Sequence, residues 1–166
     1  VLRTTNFRND GSLDLVNVVK RNIPEKKIRE KALQQGDCII EKSGGGPSQP
    51  VGRVVYFNGY NEVILCNNFT SANRPKINVF PKSLFWFLFN NHLTGNTLQY
   101  QNKTTGILNL KLERYISEVS IPLPPLATQR RIAEILDKAD ALRQKDQALL
   151  RKYDELAQAE FVDMFG

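Results

Sequence analysis

Forty consecutive residues, Leu126 to Phe165, contain neither glycine nor proline. Immediately before them stands Ile121-Pro122-Leu123-Pro124-Pro125, where three prolines in four positions exclude helix and strand alike. The prolines form a stiff hinge, and the stretch after them reads as one long helix. Apolar residues recur along it at Ile132, Ile135, Ala139, Leu142, Leu149, Tyr153 and Leu156, in alternating steps of three and four. That spacing is a heptad seam. Asp146 and Glu160 fall on seam positions and interrupt it; polar residues there fix register or orientation at a cost in stability. One helix cannot satisfy such a stripe in water. No second helix of similar length can be read from the chain, so a partner chain is expected to cover it.

Charge separates the same two regions. The net charge is +6; residues 1–125 hold 16 Lys and Arg against 9 Asp and Glu, and residues 126–166 hold 7 against 8. The excess lies entirely before the hinge. Six of those cations, Lys20, Arg21, Lys26, Lys27, Arg29 and Lys31, fall within twelve residues. A one-sided basic domain is the electrostatic footprint of a phosphate-backbone binder. The plainer alternative is a basic surface kept for solubility. Apolar content is ordinary, so a packed core is expected. No apolar run is long enough to cross a bilayer, and the start has no basic-then-apolar leader pattern. Cytoplasm is the default compartment. Val1 reads as a processed or truncated end.

Before the hinge the pattern is mixed. Residues 1–19 look extended, with a turn at Asn9-Asp10-Gly11-Ser12. Pro24 can open a short helix that Gly36 ends. Asp37 to Glu41 reads as a strand around Cys38, Ile39 and Ile40. Lys42-Ser43-Gly44-Gly45-Gly46-Pro47-Ser48 reads as a loop, on its glycines and proline. Val51 to Phe57 and Glu62 to Cys66 read as a hairpin about Asn58-Gly59. Lys76 to Phe80 reads as a strand, and Pro81 to Leu93 as a helix with Gly95 beyond its end. The run Leu84-Phe85-Trp86-Phe87-Leu88-Phe89 is apolar almost all round. Core packing explains it best; an aromatic platform for stacking bases is the sharper alternative. Gly106 to Leu112 and Tyr115 to Ile121 read as short strands flanking a turn. The fold class is therefore α+β: a globular domain of mixed strands and helices over 1–120, a proline-rich hinge over 121–126, and a long helix over 127–166 expected to pair as an antiparallel coiled coil.

Catalytic constellations are not legible. Gly44-Gly45-Gly46 lacks the Gly-Lys-Ser/Thr triplet that opens a helix in a phosphate loop. The single histidine, His92, has no Ser, Cys or metal partner in sequence, and a surface or capping role suits it. Cys38 and Cys66 read as small buried hydrophobes, with no CxxC or Cys/His cluster for a metal. Glu25-Lys26-Lys27 fits the tail of a nuclease carboxylate–lysine motif but lacks the acidic strand residue before it. No Asn-Pro-Pro-aromatic run holds a flipped base, and no glycine motif suggests a methyl donor. No metal and no cofactor are expected. Binding chemistry remains. Lys42-Ser43 with its glycines and Lys103-Thr104-Thr105-Gly106 each combine a cation, hydroxyls and exposed backbone, which suits phosphate positioning or base-edge contacts.

The run from Ile121 through Gln129-Arg130-Arg131-Ile132-Ala133-Glu134-Ile135-Leu136-Asp137 to Arg143 closely resembles the conserved region of specificity (S) subunits of Type I restriction–modification enzymes. Phe161-Val162-Asp163-Met164-Phe165-Gly166, Gly36-Asp37-Cys38-Ile39-Ile40, Thr105-Gly106-Ile107-Leu108-Asn109-Leu110 and Leu2-Arg3-Thr4-Thr5-Asn6-Phe7 are similar to further segments of that family. The resemblance implies a non-catalytic chain that recognises double-stranded DNA. In that family two recognition domains each read one half of a split site. Paired helices set the distance between them and dock modification (methyltransferase) subunits, with separate restriction subunits that cut. This chain shows one recognition domain and one helix, so the resemblance implies either a fragment or a half-subunit that forms a homodimer through the helix. From Ala127 to Val162 that helix would run about 54 Å, beyond one B-DNA turn of about 34 Å.

The residues expected near DNA are Lys42, Ser43, Gly44, Gly45, Arg53, Lys103, Thr104 and Thr105. Lys42 and Lys103 would position phosphates. Ser43, Thr104 and Thr105 would meet phosphate or base edges, and Gly44 and Gly45 would let the backbone approach. Arg53 is the candidate for a bidentate guanine contact, a plain surface strand position being its alternative. The seam is expected from Ile132, Ile135, Leu142, Leu149, Tyr153 and Leu156. Two other readings remain: a protein–protein adaptor that no longer reads DNA, and the specificity part of a fused methyltransferase–nuclease.

Overall fold

A computed structural model describes residues 1–46, 49–104 and 106–166, with the backbone alone at 103 and 104. Its elements run α1 (Glu25–Lys31), β1 (Cys38–Glu41), β2 (Ser43–Gly45), β3 (Val54–Tyr56), β4 (Thr70–Asn73), α2 (Pro81–Leu93), β5 (Gln101–Thr104), β6 (Ile107–Leu110), α3 (Leu112–Glu118) and α4 (Leu126–Phe165). Short 3-10 turns occupy Thr4–Asn6 and Leu98–Tyr100. The strands form two small antiparallel sheets, ordered β3-β1-β4 and β2-β6-β5. The class is α+β, ending in a long helix. The chain forms two compact units, Val1–Arg130 and Arg131–Gly166.

In the first unit β1 is buried along its whole length. Successive strand side chains point to opposite faces, so β1 feeds two cores at once. Cys38 and Ile40 join Val51, Val54, Phe85, Leu88, Phe89, Tyr100, Leu110 and Tyr115. Ile39 joins Leu2, Phe7, Leu33, Val55, Phe57 and Ile64 on the other face. This is why the strand reads as a continuous apolar run instead of an alternating one. Helix α2 starts with Pro81 at its first turn and lays Phe85, Leu88 and Phe89 into the first core. Phe85 and Phe89 stack at 5.4 Å. The aromatic run is therefore core packing. Gly11, at φ 83°, lies so close to α2 that a Cβ there would stand 2.7 Å from the Phe85 ring. Glycine is the residue that fits both the backbone and the space.

Several segments depart from the sequence reading. Within Lys42 to Ser48, of which Pro47 and Ser48 lie outside the described residues, Ser43–Gly45 is a strand paired with β6. Its register shifts between Ser43 and Gly45, which leaves Gly44, at φ 106°, as the extra residue of a bulge. The glycines that argue against a strand are what this bulged strand uses. Glu62 to Cys66 does not return as a hairpin partner. β3 pairs with β1 instead, Cys66 bridges Leu2 in parallel, and the Leu33 amide donates to the Ile64 carbonyl. Lys76 to Phe80 is a turn with Ile77 98% exposed, and the strand lies earlier, at Thr70–Asn73. Tyr115 to Ile121 is not a strand: its first four residues complete helix α3, which runs from Leu112 to Glu118, and the rest is irregular. Leu112, Tyr115 and Val119 all face the first core, at helical spacing, and this burial outweighs the strand preference of Tyr, Ile and Val.

Gln129, near the start of α4, is 2% exposed and organises the end of the first unit. Its Oε1 accepts from the Phe80 amide at 2.8 Å, while its Nε2 donates to the carbonyls of Asn78 at 3.1 Å and Pro124 at 2.8 Å. Arg130 lies over the Phe80 ring, 5.0 Å from its centre. Gln129→Ala leaves an amide and two carbonyls without these partners. It is expected to cost about 1–3 kcal/mol, read as a lower urea midpoint at unchanged slope.

Candidate nucleic-acid interface

Lys42 stands where the chain passes from one sheet to the other. Its amide donates to the Phe69 carbonyl and its carbonyl accepts from the Leu110 amide, both at 2.7 Å. The side chain thus springs from backbone held on both sides. Next to it the Ser43 hydroxyl donates to Asn109 Oδ1 at 2.5 Å. Gly44 is exposed at the bulge. These are the features of a fixed platform that offers one cation, one hydroxyl and open backbone.

Asn109 faces Ser43 on one side and Asn102 on the other, so β6 lies between β2 and β5. Lys103 and Thr104 sit on β5 opposite Leu108 and Ile107. The two polar segments that the sequence presents 60 residues apart thus flank one strand, about 10 Å apart at the usual inter-strand spacing. Thr105 and the side chains of Lys103 and Thr104 lie outside the described residues.

Lys42 also lines a cleft of about 420 Å³ with Glu30, Lys31, Asn67, Ser71 and Arg74, three cations against one carboxylate. Arg74 is half-exposed, and its guanidinium grips the buried Asp37 carboxylate at 2.8 Å through both Nε and Nη2. That hydrogen bonding raises the Arg74 pKa, on a guanidinium that is charged at any working pH in any case. The sequence reading missed Arg74, Asn67 and Asn109, whose surroundings only the fold creates. Lys31 belongs to the basic run that the sequence does mark. Lys26, Lys27 and Lys31 are exposed on or beside α1, while Lys20 pairs with Glu62 and Arg29 with Glu25.

Two expected contacts take a different form. Arg53 does not present a free fork to a base. It is turned inward, where Nε and Nη2 meet the two carboxylate oxygens of Glu41 at 2.9 and 2.8 Å. Nη1 and Nη2 also donate to the carbonyls of Phe7 at 3.2 Å and Thr4 at 3.1 Å. The side chains of Arg53 and Glu41 are 12% and 2% exposed. The bidentate geometry expected for guanine is spent on a buried carboxylate. Gly45 is buried too. A Cβ there would stand 2.6 Å from the Gln49 carbonyl oxygen, so its missing side chain makes room for this chain's own backbone.

Groups that might do chemistry lie in poor surroundings for it. Burial pushes the Cys38 thiol up to about 12 and raises that of Cys66, the reverse of what a reactive thiolate needs. His92 is half-buried in the last turn of α2, with its pKa lowered by burial and no partner at Nδ1. Among the described residues, no three His, Cys, Asp or Glu side chains are placed to hold a metal.

Residues 2–151 match the family model for the Type I restriction modification DNA specificity domain. The chain belongs to that family. No curated protein gives a match. Specificity domains of this kind recognise DNA targets and are not themselves catalytic. The match covers the basic first unit from Leu2 on and runs into the second, and the surface about Lys42 is the candidate contact surface. No described helix is long and apolar enough to cross a membrane. In the second unit Ile132, Ile135, Leu142, Leu149, Tyr153 and Leu156 are each between 44% and 60% exposed.

The contrast between Arg53 and Lys42 is testable by stability alone. Arg53→Met strands the Glu41 carboxylate and is expected to cost about 3–5 kcal/mol in urea unfolding. Lys42→Ala is expected to stay within about 0.5 kcal/mol of the parent, as for a side chain without a structural partner.

Proposed function

We propose that this chain reads one half of a bipartite DNA target and delivers that reading to a restriction–modification complex through α4. The observation that carries the proposal is the joining of a basic specificity domain to a long helix with an uncovered apolar seam. In this reading residues 1–120 are the recognition domain, 121–126 the hinge and 127–166 the spacer helix. Lys42 and Lys103 position phosphates; Ser43, Thr104 and Thr105 meet phosphate or base edges; the open backbone at Gly44 allows close approach. Lys31 and Arg74 add cations beside Lys42. Arg53 and Gly45 keep the platform in shape.

The helix pairs antiparallel with a second helix and docks the modification subunits, with the restriction subunits recruited to the same complex in the cytoplasm. About 60 Å of α4, at about 1.5 Å per residue, holds two recognition domains further apart than one turn of B-DNA. Pairing with a second copy requires an inverted-repeat target by two-fold symmetry, and pairing with a different helix allows two unrelated halves.

Phosphate contacts carry a signature that base contacts do not. Lys42→Ala and Lys103→Ala are each expected to weaken binding to all duplexes alike. Each also lowers the slope of log K against log salt by about 1, measured by fluorescence anisotropy. Unchanged slopes in both variants would remove these lysines from the interface.

A further inference from the structure

Asn67 to Thr70 make a tight turn leading into β4. The Thr70 amide donates to the Asn67 carbonyl at 3.3 Å, and Asn67 Oδ1 accepts from the Phe69 amide at 3.0 Å and the Thr70 hydroxyl at 3.1 Å. Asn68 and Phe69 therefore occupy its two central positions. The turn is tied at both ends. The Asn67 amide donates to the Leu2 carbonyl at 3.2 Å, and Thr70 pairs with Glu41 of β1. Its tip is tied as well: the Phe69 carbonyl accepts from the amides of Lys42 and Ser43, at 2.7 and 3.3 Å. The tip and the Lys42 platform are thus one piece of hydrogen-bonded backbone.

The two side chains at the tip do no work for the turn itself. Asn67 holds it through its amide oxygen. The Asn68 side chain is exposed, lines the cleft beside Lys42 and has no hydrogen-bond partner among the described residues. Phe69 is 46% exposed and joins neither core. Turns favour Gly, Pro, Asn, Asp and Ser, so the turn does not call for a ring. The ring stands beside the bulge of β2, its Cδ2 4.0 Å from where a Cβ on Gly44 would be. A free amide, an exposed aromatic ring, a cation and open glycine backbone meet at one place.

Given the reading that the surface about Lys42 meets DNA, we propose that Asn68 and Phe69 together read one A·T base pair from the major groove. That edge presents an acceptor and a donor on adenine, then an acceptor and the 5-methyl group on thymine. The Asn68 amide both accepts and donates, which matches adenine N6 and N7. The Phe69 ring matches the methyl, which a G·C pair lacks. Consecutive Cα atoms stand about 3.8 Å apart, so the two side chains address the two halves of a single pair. Lys42 holds a neighbouring phosphate and sets the register of the tip.

The test selects duplexes from a randomised pool with the parent chain, Asn68→Ala and Phe69→Ala, each checked for folding by its urea midpoint. The parent is expected to enrich a motif with a fixed A·T pair, and both variants to lose the preference at that same pair. Asn68→Ala should weaken binding to the parent's motif about tenfold. In both variants the slope of log K against log salt should stay at the parent's value, unlike Lys42→Ala, because no phosphate contact is lost. Uracil in place of that pair's thymine removes only the methyl, and it tests the ring on the unaltered chain. It should weaken the parent about fourfold and leave Phe69→Ala unaffected. Folded variants that enrich the parent's motif with every A·T pair intact, or a parent indifferent to uracil at every thymine, overturn the assignment and leave DNA reading in place. A parent that enriches no motif removes DNA reading, and the assignment falls with it.

Discussion

Glu41 closes a strand whose two faces are both packed with side chains, so its carboxylate has no water to meet. A lone charge there would cost several kcal/mol. Arg53 answers it with both arms of its fork, and the same guanidinium reaches the carbonyls of Thr4 and Phe7. One ion pair thus ties the start of the chain, β1 and the approach to β3 together. Asp37, just before β1, is held in the same way by Arg74. Such pairs add little over a well-packed apolar alternative, but they are costly to break. Their consequence here is geometric. They anchor the two ends of the segment that leads into Lys42, and the platform projects from a backbone tied on both sides.

How much of this the sequence discloses depends on where each element finds its stability. Helices α2 and α4 carry long patterns of their own and are legible, as is β1, an apolar run between turn residues. β4 is not, because Thr-Ser-Ala-Asn is a strand only through its pairing with β1. α3 is misread because Tyr115, Ile116 and Val119 prefer strands, although Leu112, Tyr115 and Val119 keep helical spacing. β2 is misread because its glycines signal a loop until β6 is placed beside them. Arg53 looks like a free surface cation for a similar reason. The clue was Glu41 at the end of Cys38-Ile39-Ile40, since a carboxylate in so apolar a strand requires a cation. Lys42 and Ser43 were legible as polar groups beside glycine, whereas the cleft with Asn67 and Arg74 exists only in three dimensions.

The two units divide the physical work. Val1–Arg130 has its own double core and holds the excess positive charge, which suits a surface that meets phosphate. Arg131–Gly166 has a seam of exposed apolar side chains that a single helix cannot satisfy. The first unit thus offers charge and hydrogen-bond donors, and the second an exposed apolar seam. Recognising a DNA target needs no catalytic group, and the chain belongs to a family of DNA specificity domains.

The most direct measurement is selection of duplexes from a randomised pool by the intact chain at about 0.15 M salt, where exposed charges act over only about 8 Å. The account predicts enrichment of a defined base motif, since base-edge contacts discriminate by about 1–3 kcal/mol each. Retention that follows duplex length and salt with no enriched motif, or no retention at all, would contradict it.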